Sequence, residues 1–102
     1  MIVVRFRVKC QPDRTDEMTA AMKDVVSAAR KLPGVIHFDI ARDINDTNTL
    51  IATEVFQDRA AMEKEETIAE VATVVKLMEA GALAESPEWT VFDVASSESP
   101  TM

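Results

Sequence analysis

The stretch LPGVIHFDIARDINDTNTLIATEVFQD, residues 32–58, decides the fold that we predict for this chain. A Pro-Gly pair opens it. Two segments with an apolar residue at every second position follow, and the polar run DINDTN separates them. Such alternation is typical of β-strands with one buried face, and Asp and Asn favour turns. The stretch therefore predicts two strands joined by a turn, one from Val35 to about Arg42 and one from Thr49 to Gln57.

The residues before this hairpin predict a strand and a helix. The segment IVVRFRVK, residues 2–9, alternates as a strand does. After it, QPDRTDE places acidic residues where the first turn of a helix favours them. Apolar residues then recur at spacings of four and three, which is typical of one helix face, as far as about Leu32.

The residues after the hairpin predict two helices and a last strand. Asp58 is a typical N-cap residue for the short helix RAAMEKEE. Thr67 and Glu70 have the spacing of a capping box for a further helix, which Gly81 ends. A final strand is expected from Trp89 to Val94.

This βαββαβ order predicts an α+β fold. We expect a ferredoxin-like antiparallel sheet, strand order 4-1-3-2, with the helices on one face. Residues 1–95 form one domain in this interpretation. Residues 96–102 are polar, and we predict a disordered tail there.

The alternation also assigns side chains to the two faces of the sheet. We expect Val4, Phe6, Phe38 and Val55 on the face that packs against the helices. The opposite face combines ionisable groups with large apolar side chains, which suits neither a solvated surface nor a core. We therefore predict a homodimer interface there, formed by Arg5, Arg7, His37, Asp39, Glu54, Phe56, Trp89 and Asp93.

Charge pairing supports this assignment. In the predicted strand order, Arg5 and Arg7 lie between the strands that carry Glu54 and Asp93, so opposite charges are expected to pair across the sheet. His37 is the single histidine. We interpret it as a hydrogen-bonded residue of this face in preference to a catalytic base or a ligand.

Composition narrows the functional classes. The chain has 102 residues and a formal net charge of −7, which disfavours binding to nucleic acids or anionic membranes. No apolar run approaches the ~18 residues of a membrane helix, and the first residues lack a signal-peptide pattern. One cysteine excludes an internal disulfide, and we expect a cytoplasmic protein. Cys10 and His37 stand apart, so we predict no metal site and no cofactor.

Residues 32–64, LPGVIHFDIARDINDTNTLIATEVFQDRAAMEK, resemble the antibiotic biosynthesis monooxygenase-like domains of the dimeric α+β barrel superfamily. The shared features are Pro-Gly, an aromatic residue at Phe38, the Arg42-Asp43 turn and a Glu-x-aromatic strand end. With PEWTVFDV as the closing strand, the resemblance extends from Ile2 to Val94. It implies a homodimer with a ligand pocket between the sheet and the helices of each subunit.

The resemblance implies several activities and disfavours one. Related proteins include cofactor-free oxygenases of anthrones and quinols, haem-degrading enzymes and isomerases. Many carry a histidine on the short helix, where this chain has Glu65. The first strand lacks the asparagine of the haem-degrading members, and the only histidine lies on the second strand, so haem is disfavoured. The chain has no tyrosine, so a phenol cannot serve as a proton relay.

Two functional hypotheses follow. In the first, the protein is a cofactor-independent monooxygenase of a small aromatic, quinol-like or anthrone-like substrate, with Glu65 as the candidate base. In the second, it is a dimeric module that binds a hydrophobic metabolite without converting it. Both use a pocket rich in methionine, although methionine also fills ordinary cores. The predicted lining consists of Phe6, Met18, Met22, Phe38, Val55, Met62 and Met78.

Overall fold

The computed structural model describes residues 1–101 and contains four strands and three helices. The elements are β1 (Ile2–Lys9), α1 (Thr15–Ala29), β2 (Val35–Asp43), β3 (Asp46–Phe56), α2 (Arg59–Glu66), α3 (Ala69–Glu79) and β4 (Glu88–Asp93). The order of strands and helices agrees with the sequence prediction. The four strands form one antiparallel sheet in the order β2-β3-β1-β4, which confirms the predicted topology and the α+β class.

The β2–β3 turn is tighter than predicted, because its own side chains close it. The Asp43 carboxylate accepts a hydrogen bond from the N–H of Asn45 at 2.8 Å, and Asp46 accepts one from the N–H of Asn48 at 3.0 Å. These short-range bonds let β3 begin at Asp46, three residues before the predicted Thr49.

The helix boundaries differ from the sequence prediction in two places. The first helix ends at Ala29 and not at Leu32. The predicted capping box is wrong, because the Thr67 hydroxyl donates to the carbonyl of Lys64 at 2.7 Å and so belongs to the end of α2. The N-cap of α3 is Ile68, which makes no side-chain capping bond. The predicted N-cap at Asp58 is confirmed, since its carboxylate accepts from the N–H of Ala61 at 2.9 Å.

The predicted faces of β3 are wrong. Val4 lies opposite Glu54 and Ile2 lies opposite Phe56, and directly opposed residues in an antiparallel pair point to the same face. Glu54 and Phe56 therefore lie on the helix side, and Val55 lies on the other side. The error has a physical origin: both parities of TLIATEVF are mostly apolar, and a shift of one residue exchanges every side chain between faces.

The predicted faces of β4 are reversed in the same way. Trp89 lies opposite Phe6 and Asp93 lies opposite Ile2, so both belong to the helix side. Phe92 instead points away from the helices and is 48% exposed. This strand too carries bulky apolar residues on both parities, and only its pairing with β1 decides between them.

The sheet face without helices is called the outer face below. Arg5, Arg7, His37 and Asp39 lie on it, as predicted, but their charges do not pair with Glu54 or Asp93. This face presents these four residues together with Val3, Ile51, Thr53, Val55, Thr90 and Phe92.

The charged residues of the outer face find partners near the sheet edges. Arg5 lies 3.9 Å from Glu88, and Arg7 lies 3.7 Å from Glu85. Asp39 accepts a hydrogen bond from Arg30 at 2.9 Å. The helices lie on the other side of the sheet, so they do not cover the apolar residues of the outer face.

The core lies between the sheet and the helices. Its largest fully buried side chains include Phe56, Met18 and Val8. Among the described residues, no helix is long and apolar enough to cross a membrane. Residues 96–101 form neither helix nor strand and are exposed, while Met102 lies outside the described residues, so the disordered tail and the domain limit at residue 95 stay predictions.

Two glycines with positive φ allow a matched test of chain packing. Gly34 has φ of 80° and Gly81 has φ of 87°. A Cβ atom at Gly34 would lie 2.7 Å from Cβ of Ala61, whereas one at Gly81 would meet nothing within 4 Å. We expect Gly81→Ala to cost about 1 kcal/mol of unfolding free energy, from backbone strain alone. Gly34→Ala should cost roughly 1–3 kcal/mol more, because Ala61 must move.

Urea unfolding of both variants measures this difference. Equal losses of stability would show that α2 gives way without cost, and that the approach of Gly34 to Ala61 does not hold this helix in place.

Candidate functional site

A cavity of about 310 Å³ lies between the sheet and the helices. Its walls are mostly apolar and come from all four strands, from all three helices and from the loop before β4. The lining residues are Phe6, Met22, Val25, Phe38, Ile40, Ala52, Glu54, Glu65, Glu66, Val71, Val74, Val75, Met78, Pro87 and Trp89. It is called the carboxylate cavity below, after its three glutamates.

Aromatic side chains form one side of the carboxylate cavity. Phe6 and Trp89 are cross-strand partners, and their rings meet edge to face with centroids 6.3 Å apart. Phe38 meets the buried ring of Phe56 in the same manner at 6.4 Å. Trp89 is 60% exposed, so it stands at the rim of the cavity, while Phe38 is buried. The arrangement offers ring faces and edges to a flat ligand.

Glu65 points inward from α2. It follows Met62 by three residues, so the two side chains share one side of the helix, and Met62 belongs to the core. Glu65 is only 5% exposed. Within the described residues its carboxyl group has no hydrogen-bond or ion-pair partner, and it borders the cavity.

Glu54 reaches the same cavity from the sheet. It is half-buried in the middle of β3, with Val4 on one side and Phe38 on the other. The nearest arginines along β1, Arg5 and Arg7, point to the outer face and cannot pair with it through the sheet. Glu54 thus stands among apolar neighbours, with other carboxylates and no cation in the lining.

Burial in this setting raises the pKa of both carboxyl groups. Burial, together with the charges of Glu65 and Glu66, raises the pKa of Glu54 to about 8. Burial, and then the charge of Glu66, raises the pKa of Glu65 to about 7. Near neutral pH the site therefore holds one carboxyl group that is mainly protonated beside one that readily exchanges its proton. Such a pair can accept a proton from a ligand and return one to it.

The structure brings together only some of the residues predicted to line a pocket. Phe6, Met22, Phe38 and Met78 line the carboxylate cavity, as does Glu65. The prediction is wrong for the other three lining residues. Met18 and Met62 are packed in the core, and Val55 lies on the outer face.

Sequence reasoning missed Glu54 and Trp89 as cavity residues, because both were assigned to the dimer interface. One signal was available for Glu54. The parity Leu50, Ala52, Glu54, Phe56 includes the two largest apolar side chains of the strand, and a lone acid among them is typical of a functional position.

The polar residues His37 and Cys10 do not line the carboxylate cavity. His37 is exposed on the outer face, opposite Val55. Cys10 is fully buried, and burial raises the pKa of its thiol. Across residues 1–101, no group of three or more His, Cys, Asp or Glu side chains is placed to hold a metal ion.

The chain resembles proteins of one family. A model of the family "Antibiotic biosynthesis monooxygenase" matches residues 1–77. Over 62 residues, the chain is 31% identical to an uncharacterized protein of Synechocystis sp. and 27% identical to "Putative monooxygenase YcnE" of Bacillus subtilis. Each match covers 61% of this chain, but 42% of the Synechocystis protein and 65% of the Bacillus protein. The chain therefore spans less than two thirds of either relative.

Solved structures share the fold at low sequence identity. The "Putative antibiotic biosynthesis monooxygenase from Nitrosomonas europaea" superposes with a TM-score of 0.85 at 19% identity, covering 94% of this chain and 100% of that one. A protein of similar description from Deinococcus radiodurans gives a TM-score of 0.88 at 11% identity, with all of both chains covered. At these identities the likeness concerns the fold alone.

The raised pKa values predict how stability depends on pH. A carboxyl group with a higher pKa in the folded than in the unfolded state keeps its proton longer when folded. Its contribution is therefore complete below pH 4.5 and is lost as pH rises towards the folded pKa. We expect the unfolding free energy to fall between about pH 4.5 and pH 8. Glu54→Gln, which cannot ionise, should remove roughly 2–4 kcal/mol of that fall.

Urea unfolding of the wild type and of Glu54→Gln at pH 5 and pH 8.5 measures the effect. Glu63→Gln, on the exposed side of α2, is the matched control and should leave the fall unchanged. Parallel curves for the wild type and Glu54→Gln would mean that the Glu54 carboxyl group is solvated.

Proposed function

Because the chain belongs to the antibiotic biosynthesis monooxygenase family, we propose that it is a monooxygenase that needs no bound cofactor and that acts on a small aromatic substrate of quinol or anthrone type. One observation carries this proposal: two carboxyl groups with raised pKa values, Glu54 and Glu65, line an apolar cavity. Substrates of this type become reductants of oxygen once a proton is removed. The protein then has to supply a base and a dry pocket.

The reaction can be written for an anthrone. Ionised Glu65 takes one proton from the ring methylene group, and the resulting carbanion supplies the electrons that reduce O₂. A carbon–oxygen bond forms, giving a peroxide on the former methylene carbon. Loss of water from the peroxide leaves a carbonyl group. One oxygen atom enters the product, the other leaves as water with both methylene hydrogens, and the substrate loses four electrons.

Glu54 has the complementary role in this scheme. With the higher pKa of the two, it stays mainly protonated when Glu65 is mainly ionised, between about pH 7 and pH 8. It can give its proton to the departing oxygen as the O–O bond breaks. Since neither carboxyl group has a cation within the cavity lining, both remain free to exchange protons.

The apolar lining suits the proposed substrate class. Phe6, Phe38 and Trp89 present aromatic surfaces, and Met22 and Met78 add flexible, polarizable contacts. A cavity of about 310 Å³ is at the small end for ligand sites and favours a molecule of a few fused rings. The apolar walls also keep water away from a carbanion that water would protonate.

We further propose a homodimer through the outer face. Proteins of this family are generally dimers. Val3, Ile51, Val55 and Phe92 form the apolar part of this face, and Phe92 is 48% exposed in one subunit. Two such faces in contact would cover apolar surface that one chain leaves in water. The predicted roles of Arg5, Arg7, His37 and Asp39 belong to this proposal, and those of Glu54, Phe56, Trp89 and Asp93 do not.

The dimer can be tested with one substitution on each side of the molecule. Val55→Glu places a charge in the middle of the outer face, so the dimer should weaken at least tenfold, because the charge is buried without a partner. Ala72→Glu, exposed on α3, is the control and should not change association. Sedimentation velocity over a range of micromolar concentrations gives the result. A Val55→Glu dimer as tight as the wild type would exclude the outer face as the interface.

The oxygenase activity is tested by oxygen uptake with an anthrone and a naphthoquinol. The wild type should consume O₂ above the buffer rate and transfer one ¹⁸O atom from ¹⁸O₂ to the product. Glu65→Gln should lower the rate roughly 10²–10⁴-fold, because it removes the base. The pH profile of kcat/KM should be bell-shaped, with limbs near pH 7 and pH 8. Glu54→Gln should remove the limb near pH 8, and Glu63→Gln is the control.

The same experiment separates the enzyme from the binding module. Saturable binding of the naphthoquinol with no enzyme-dependent oxygen uptake would contradict the oxygenase proposal and support a module that holds its ligand unchanged. If the naphthoquinol neither binds nor supports oxygen uptake, both the oxygenase hypothesis and the binding-module hypothesis are contradicted.

A further inference from the structure

A second cavity, of about 370 Å³, lies on the other side of α1 from the carboxylate cavity. It opens between α1 and β2, which is an edge strand of the sheet. Its floor is apolar and is formed by Met22, Val26, Ile40 and Leu50. Two of these, Met22 and Ile40, also line the carboxylate cavity, so they form a common wall between the two.

The rim of this second cavity is basic. Lys23 and Arg30 come from the exposed side of α1, and Arg42 comes from β2 on the helix side, opposite Leu50. No lining residue is acidic. The second cavity is therefore called the basic cavity. It contrasts with the carboxylate cavity, whose lining holds three glutamates and no cation.

Two of the three cations are not neutralised. Arg30 is paired with Asp39 at 2.9 Å and also donates to the carbonyl of Phe38 at 3.0 Å. Arg42 donates to the carbonyl of Thr47 at 2.7 Å, which fixes its guanidinium group without cancelling the charge. Within the part of the chain that the structure describes, neither Arg42 nor Lys23 lies within 4.0 Å of a carboxylate.

We propose that the basic cavity binds an organic carboxylate with an apolar body. The carboxylate would lie between Lys23 and Arg42, and the body would cover Met22, Val26 and Ile40. A net charge of −7 repels anions from the molecule as a whole, so two unpaired cations beside an apolar floor are a local exception. An arginine already held by a carbonyl is oriented before a ligand arrives, which lowers the entropic cost of binding.

Other ligand classes satisfy only half of the site. A neutral apolar molecule would cover the floor but leave the charges of Lys23 and Arg42 uncompensated. Inorganic phosphate would pair with the cations but leave the apolar floor in water. Only a molecule with both parts uses the whole lining, and this requirement makes the proposal testable by comparing matched probes.

The test uses the full chain and three probes: decanoate, decanol and inorganic phosphate. Titration at low salt should give the tightest binding for decanoate, and added NaCl should weaken decanoate but not decanol. Lys23→Gln should weaken decanoate binding about two- to fivefold, as for a partly exposed ion pair, and Lys23→Gln with Arg42→Gln about tenfold. Amide NMR shifts should cluster at Thr19 and Ala41, which line the basic cavity.

Controls make each outcome decisive. Lys31→Gln removes the same charge from an exposed position outside the cavity and should leave decanoate binding unchanged. Decanol or phosphate binding as tightly as decanoate would overturn the proposal, as would equal losses in Lys23→Gln and Lys31→Gln. Shifts centred on Ala52 and Val71, in the carboxylate cavity, would also overturn it. If Arg42→Gln unfolds the protein, Lys23→Gln alone decides. Oxygen uptake is measured separately, so failure here leaves the proposed function untouched.

Discussion

The register of β3 against β1 is the constraint on which the rest of this structure depends. Burial of Leu50 and Phe56 fixes that register, and burying two such side chains is worth several kcal/mol. Glu54 has the same parity, so it must enter the helix side with them. Burial of the largest side chains of β3 therefore also places a half-buried carboxyl group on the helix side. The position of Glu54 in the carboxylate cavity follows from this register.

The sheet also separates Glu54 from the two arginines of β1. Arg5 and Arg7 point to the outer face and pair with Glu85 and Glu88 near the sheet edge. They cannot reach Glu54 through the sheet. Had Glu54 pointed to the same face as these arginines, the cations would have lowered the pKa of its carboxyl group. On the helix side, burial and neighbouring carboxylates raise the pKa instead. The one-residue difference in register therefore reverses the chemistry of the residue.

Helix α1 borders two cavities whose linings carry opposite charge. One side of the helix closes a cavity with acidic groups, and the other side borders a cavity with basic groups, with Met22 and Ile40 shared between them. The two solved structures described above are 11% and 19% identical to this chain, so most side chains differ while the backbone stays the same. The function therefore depends on the side chains of these cavities and not on the fold.

The sequence by itself determined the elements, their order and the topology. Alternation marked the four strands, Asp58 marked the start of α2, and Pro33 and Gly34 marked the break between α1 and β2, because each depends on neighbours along the chain. The family resemblance also came from the sequence, and it singled out Glu65 as a candidate base. That Glu65 points inward is a result of the structure. Only the tertiary structure decided the faces of β3 and β4, and with them the positions of Glu54, Val55 and Trp89. Both parities of these strands are apolar enough to be buried, so pairing with β1 across more than forty residues of chain had to choose between them.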